Sequence, residues 1–336
     1  MTKADDDSHL LETIASGSRY YPRDDPHRPL IESLAKKWVS RVRPVISRVN
    51  ESDEESGTVI GWALEDLPTI DARMLSFPGE SGLSLLIRMP LGFIPKCLAL
   101  SNRAHVARVF EACNPIVADV FGDWDINNPN VGLLSLGPQG GLSEYSFHSA
   151  LDVMTLALFH EMAHGLEYFE TIKNSDEFRA MEACADEGAG YLFAKSIRDF
   201  AEHGEVDDHK ALNRLIDAAF FLSTLIHWAS PNSGNYHHPI VRMDCFLRGA
   251  SLALNGIDNK ALRNIHVQAY DRCLEYYLSL SVFAPDELVY WEDQNLIDHE
   301  RMLFQRETRP LMYAMRTNLV RRSMLRPMSF FIDRLF

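Results

Sequence analysis

Residues 156–170, LALFHEMAHGLEYFE, place two histidines and a glutamate inside an apolar run that would otherwise exclude them. Upstream, Leu151, Val153, Met154, Leu156, Ala157, Leu158 and Phe159 follow without a proline, which predicts a buried helix of about five turns. Ser149, with Asp152 three residues later, reads as a capping box at its start. On a helix, positions four apart lie one above the other, so His160 and His164 aim their imidazoles at a common point that can hold a metal ion. Glu161 is turned about 100° from His160, close enough to reach a water activated there without ligating the metal itself. The competing reading is a core helix whose histidines are satisfied by ordinary hydrogen bonds.

A metal site of this kind needs a third protein ligand and an open fourth position. Residues 176–200, DEFRAMEACADEGAGYLFAKSIRDF, read as a second helix carrying Glu182 and Asp186 four apart on one face. Ala185 and Ala189 share that face, and Ala183, Gly188 and Gly190 keep neighbouring positions small, so this backbone can approach the first helix closely. The 17 residues between His164 and Glu182 leave room for one helix to end and another to begin. Glu182 is the expected third ligand, with Asp186 accepting the other ring N–H of a ligating histidine. Asp186 and Glu187 are the alternative ligands, and a solvated acidic stripe is the plainer fate of such a pair. Cys184, about 200° around the helix from Glu182, reads as a small buried side chain.

His160-Glu161-x-x-His164 followed by Glu182-x-x-Ala185-Asp186 resembles the gluzincin class of zinc metallopeptidases. The Glu-x-x-Ala-Asp form is most similar to the peptidases related to the CAAX-processing and HtpX proteases, and more loosely to soluble Lit-like phage-exclusion peptidases. The match covers residues 149–194. It implies a zinc ion bound by His160, His164 and Glu182, with Glu161 as general base. The membrane proteases of that group have long apolar spans. The best candidate here, AAFFLSTLIHWA at 218–229, is about twelve residues, short of the roughly 20 a spanning helix needs.

With 336 residues, 46% of them hydrophobic, the chain can bury a large core. A net charge of −14 argues against general nucleic-acid binding. The start, MTKADDDSHLLE, lacks the apolar run of a signal peptide, and five cysteines without a C-x-x-C pair suit reduced thiols, so a cytoplasmic location is expected.

The pattern predicts an α+β, mostly α fold: a zincin-like metallopeptidase core with a small N-terminal β-sheet and a helical C-terminal part. Residues 1–57 form a polar extension with one helix at 28–49 and an acidic linker at 51–57, ESDEESG. Residues 58–300 form the catalytic domain, with a sheet at 58–100, metal helices at 149–202 and a helical subdomain at 208–300. A turn is expected at FPGESG, 77–82. LSLLIRMPL, 83–91, is the candidate for an edge strand able to pair with an extended substrate; an internal strand is the alternative. GDWDINNPNVGLLSLGPQGG, 122–141, reads as a loop at the rim of the cleft.

Two further features carry chemistry. SGNYHHPIVRMD, 233–244, sets Tyr236, His237 and His238 before a proline suited to a helix's first turn. Tyr236 or His238 could donate to the oxyanion of a hydrolytic intermediate, although histidines in such a loop are commonly surface residues. His-Pro and a following Arg also occur in the resembling peptidases, but Arg242 does not match their spacing closely. Residues 301–336, a basic amphipathic C-terminal segment, hold eight Arg and two acids. They could contact an anionic membrane surface or a partner, and more readily pack onto the acidic body of their own protein. The expectation is therefore a zinc-dependent hydrolase of a protein or peptide substrate. The alternative is a protein of the same fold that binds a partner without catalysis, or a triggered regulatory or defence protein that cleaves one.

Overall fold

The computed structural model describes residues 28–52, 59–65, 72–78, 83–90, 92–98, 100–101, 144–166, 174–199, 208–229, 236–254 and 293–322, with isolated positions 172 and 271. The expectations for residues 1–27, the 122–141 loop and most of the acidic linker lie outside them. Helix α1 spans Arg28–Ser52 and is followed by strands β1 (Val59–Glu65), β2 (Arg73–Pro78) and β3 (Leu83–Pro90). Among the described residues that follow are a short helical stretch at 93–98 and the longer helices α2 (Glu144–Leu166), α3 (Ser175–Asp199), α4 (Asp208–Ala229), α5 (Pro239–Ala253) and α6 (Gln294–Leu303). Helix α6 continues through a π-helical turn, Phe304–Thr308, into α7 (Arg309–Arg322). The fold is mostly helical with a small three-stranded sheet, and none of the described helices is long and apolar enough to cross a membrane.

The sheet has the order β1-β3-β2, with β3 parallel to β1 and antiparallel to β2. Pro78 pairs with Leu83, so β2 and β3 form the expected hairpin across residues 79–82. β3 is nevertheless the central strand, which corrects its reading as an edge able to receive substrate. Leu85, Ile87 and Met89 are buried on one face of it, and its backbone is paired along both edges, to β1 and to β2. The outer edge of β1 is occupied at Ile60, whose N–H donates to Asn50 Oδ1 (2.8 Å) and whose carbonyl accepts from Asn50 Nδ2 (2.9 Å). Asn50 thus does the work of a fourth strand at one position. Among the described residues, β2 pairs only with β3.

Helix α2 lies at the centre, in contact with α1, α3, α4, β2 and β3. That position explains why residues 149–160 are buried on every side: a helix enclosed all round has no solvent face to keep polar. The helix begins at Glu144, so Ser149 and Asp152 sit inside it and do not cap it, contrary to the sequence expectation. Asp152 is instead turned into the core, where it accepts from Arg214 Nε (2.8 Å) and Nη2 (2.6 Å) on α4 and from Arg41 Nη1 on α1. Burial alone would raise its pKa, but the two guanidiniums hold it below the usual carboxylate range. One ionised carboxylate therefore ties α1, α2 and α4 together.

α3 and α5 cross at unusually close range. A Cβ on Gly190 would run into the carbonyl oxygen of Phe246, and one on Gly249 into that of Glu187, so glycine is required on both sides of the crossing. Gly188 faces α2 instead, where a Cβ would stand 2.8 Å from that of Ala163. The small residues of α3 thus serve two helices, and Gly190 serves α5 where the sequence reading had it serving the metal helix.

The C-terminal helices close over this crossing. Phe304 and Met312 are buried against Ala180, Ala183 and Cys184 of α3 and Val241 and Cys245 of α5. Arg316 meets Glu187 at 3.1 Å, and Arg301 lies 3.5 Å from Asp244. Position 301 falls within a continuous helix, and the basic segment as far as Arg316 lies on the acidic body of its own protein. Asp152→Asn should lower unfolding free energy by roughly 2–4 kcal/mol in urea titrations, because it strands two guanidiniums that can only partly rehydrate at 23% and 31% side-chain exposure. A loss below about 1 kcal/mol would mean that the triad is not holding the helices.

Candidate metal centre

His160 and His164, one turn apart on α2, and Glu182 on α3 bring one donor atom each to a common point. His160 Nε2 stands 3.1 Å from His164 Nε2 and 3.1 Å from Glu182 Oε2, and His164 Nε2 lies 3.4 Å from Glu182 Oε1. Three donors bound about 2.0–2.1 Å from one ion at tetrahedral angles stand about 3.3–3.4 Å apart; the two imidazole nitrogens are close to that spacing, and each faces a different oxygen of the Glu182 carboxylate at 3.1 and 3.4 Å. The ring planes of the two histidines are nearly perpendicular, at 87°. Glu182 is buried and His164 nearly so.

The second layer decides how these atoms are charged. Asp186, one turn beyond Glu182, places Oδ1 2.9 Å from His160 Nδ1, with the ring N–H angled away from the ideal line. On its other side Asp186 accepts from Arg242 Nε (2.8 Å) and Nη2 (2.7 Å), a two-pronged ion pair between side chains 1% and 3% exposed. Burial would raise the Asp186 pKa, but Arg242 and His160 outweigh it and keep the group ionised. An ionised Asp186 places the ring proton of His160 on Nδ1, leaving the Nε2 lone pair facing the Glu182 carboxylate. Two acceptors 3.1 Å apart repel unless a cation lies between them. The residues present therefore fit a metal ion, and in its absence the place is taken by a proton. Burial opposes charging His160, yet Asp186 and Glu182 raise its pKa from 6.5 to about 10. Glu182 is likewise pushed up by burial but held well below its usual range by the two histidines.

The sequence-derived donors thus converge, and Glu161, the residue after His160 on α2, is half-buried. Glu187, the alternative ligand, is turned away to Arg248 and Arg316. Cys184 is fully buried in the small cluster under the C-terminal helices. His238 is the N-cap of α5, its Nδ1 accepting from the Ile240 N–H at 3.2 Å, and it is fully buried. Tyr236 stacks under the Arg242 guanidinium, 5.0 Å from ring centroid to Cζ, and meets Phe178 edge-on. Neither residue belongs to the donor triangle. His237 points the other way, to Glu300 (3.1 Å) and Thr308 (2.9 Å), and anchors the loop to the C-terminal helices. Arg242, which the sequence analysis set aside for its spacing, reaches Asp186; its signal was an arginine one turn into a helix otherwise apolar on the buried side.

No protein-family model, curated protein or solved structure shows a significant match to this chain.

Two outcomes follow from this geometry. Metal analysis should find about one ion per chain, lost in His160→Ala, His164→Ala and Glu182→Ala; retention in Glu182→Ala would move the third ligand elsewhere. The metal-free protein should also lose stability as pH rises. His160 holds its proton more tightly folded than unfolded, so its contribution is complete below about pH 6.5 and disappears as pH passes about 10. Thermal melts of the chelated protein should fall across that window, and melts with metal present should not, because metal displaces the proton.

Proposed function

We propose that the protein is a zinc-dependent peptidase. The observation that carries this reading is the grouping of His160, His164 and Glu182, with Glu161 the next residue in sequence after the first of them. Two imidazoles and one carboxylate are the donor set zinc takes in hydrolases, which leave one position open for water or substrate. Zinc held there would supply Lewis acidity, polarising a peptide carbonyl and making a water acidic enough to ionise near neutral pH.

The chain's own residues do the rest. Glu161 accepts the proton of the attacking water and passes it to the leaving amine, which must depart neutral. Asp186 holds His160 through Nδ1, so that its Nε2 lone pair stays directed at the metal position. The oxyanion that develops on the scissile carbonyl needs a donor, and Tyr236 or His238 supplies it. The Nδ1 of His238 accepts from the Ile240 N–H, which puts its ring proton on Nε2, and the Tyr236 ring stacks on Arg242, whose Nη2 is 4.0 Å from Glu182 Oε2. An extended peptide would add to the sheet at β2, whose strand packs against α2 where a Cβ on Gly165 would stand 2.7 Å from the sulfur of Met74. A β2 edge open to pairing would favour a peptide over a small-molecule substrate.

A binding protein of the same architecture would have no use for Glu161. Glu161→Gln keeps size and hydrogen bonding but cannot take a proton. It should fold and bind zinc like the parent while proteolysis, followed by mapping new termini in a cytoplasmic lysate, falls by roughly 10²- to 10⁴-fold. Equal cleavage by both proteins would remove Glu161 from the mechanism. No chelator-sensitive cleavage by either would favour the binding reading.

A further inference from the structure

Arg242 is the most deeply buried cation of the described residues that touches the metal centre without being able to bind metal. It stands on α5, whereas the ligands stand on α2 and α3, so its side chain joins a third helix to the site. Its Nε and Nη2 take both oxygens of Asp186, at 2.8 and 2.7 Å, and Nη2 is 4.0 Å from Glu182 Oε2. The ring of Tyr236 covers one face of the guanidinium. The fork therefore fixes the rotation of the Asp186 carboxylate, and Asp186 in turn faces His160 Nδ1. A lone aspartate on a helix can turn about its terminal torsion, which has broad wells, so contact with one histidine would leave it free to swing.

Two effects of Arg242 on metal affinity oppose each other. Its charge repels a dication nearby, which weakens binding. Its fork preorganises Asp186, which strengthens it. The bidentate contact is at hydrogen-bond distance, whereas the charge is separated from the metal position by the ligand oxygen of Glu182, so the geometric effect is the larger. We propose that Arg242 is a positioning residue of the metal centre, acting through Asp186 to hold His160 in its ligating orientation. This rests on the zinc reading given above and extends it to a residue outside the motif.

The test uses lysine, which keeps the charge and loses the fork. Zinc dissociation constants are measured on the full-length chain by competition with a chromophoric chelator, for the parent, Arg242→Lys, Asp186→Asn and the double variant. Asp186→Asn should weaken binding roughly 10- to 100-fold and Arg242→Lys about 10-fold. In the double variant the losses should not multiply: it should match Asp186→Asn within about twofold, because Arg242 has nothing left to position. The visible spectrum of the cobalt-substituted protein should shift in Arg242→Lys, as a turned His160 ring alters the ligand field; a purely structural role would leave it unchanged. Multiplying losses, or parent-like affinity and spectrum in Arg242→Lys, would overturn the proposal. If Arg242→Lys does not fold, Asp186→Asn combined with Arg242→Gln removes both buried charges and is compared with Asp186→Asn alone. Equal affinity supports the proposal and a further loss overturns it. A parent that binds no zinc overturns the metal centre and this inference with it, whereas a zinc-binding parent with multiplying losses overturns this inference alone.

Discussion

Asp186 is almost fully buried and ionised, and most of what is distinctive in this structure follows from keeping it so. Removing a carboxylate from water costs several kcal/mol unless its oxygens are fully engaged. Here the engagement comes from two other helices: Arg242 of α5 and His160 of α2. Contacts of that kind tolerate errors of only a few tenths of an ångström. The three backbones must therefore lie close and in register, which is what Gly190 and Gly249 allow at the α3–α5 crossing and Gly188 at the α2–α3 contact. An alanine at Gly190 would push α5 outward and move Arg242 away from its partner, so a packing requirement and a metal-site requirement act on the same residues.

Buried acid alone does not mark a functional site in this molecule. Asp152, Asp186 and Glu187 are all buried, and each meets arginine from a different helix. Asp152 joins α1, α2 and α4, and Glu187 joins α3 to α5 and α7. Both are knots at helix seams, with partly exposed guanidiniums that keep part of their hydration. Asp186 differs in that its arginine is itself buried and its free side faces an imidazole that converges with two other donors. The functional signal lies in that convergence.

The same distinction explains what could be read from the sequence. His160, His164 and Glu182 were legible because helical periodicity converts spacing into direction, and α2 and α3 are regular over the residues concerned. The small residues of α3 pointed to close packing, though not to which helix each one faced. Ser149 and Asp152 misled because the pattern of a cap is also the pattern of a polar side chain turned inward, and only the partners, Arg41 and Arg214, decide between them. Those partners lie 111 and 62 residues away from Asp152, a separation no local pattern spans. The position of β3 was illegible for a related reason. Alternation tells which face of a strand is buried, but strand order depends on β1 crossing to its far side, and Asn50 capping the β1 edge is a tertiary event.

Charge balance explains why the centre suits a dication. Glu182 and Asp186 carry two negative charges and Arg242 one positive, leaving −1 in a buried space when both histidines are neutral. In the metal-free state a proton on His160 cancels it, which is the physical content of a histidine pKa raised to about 10. A dication in the proton's place leaves +1. The buried arginine thus sets how much charge the centre carries, so the three donor residues and the Arg242–Asp186 ion pair form one electrostatic unit.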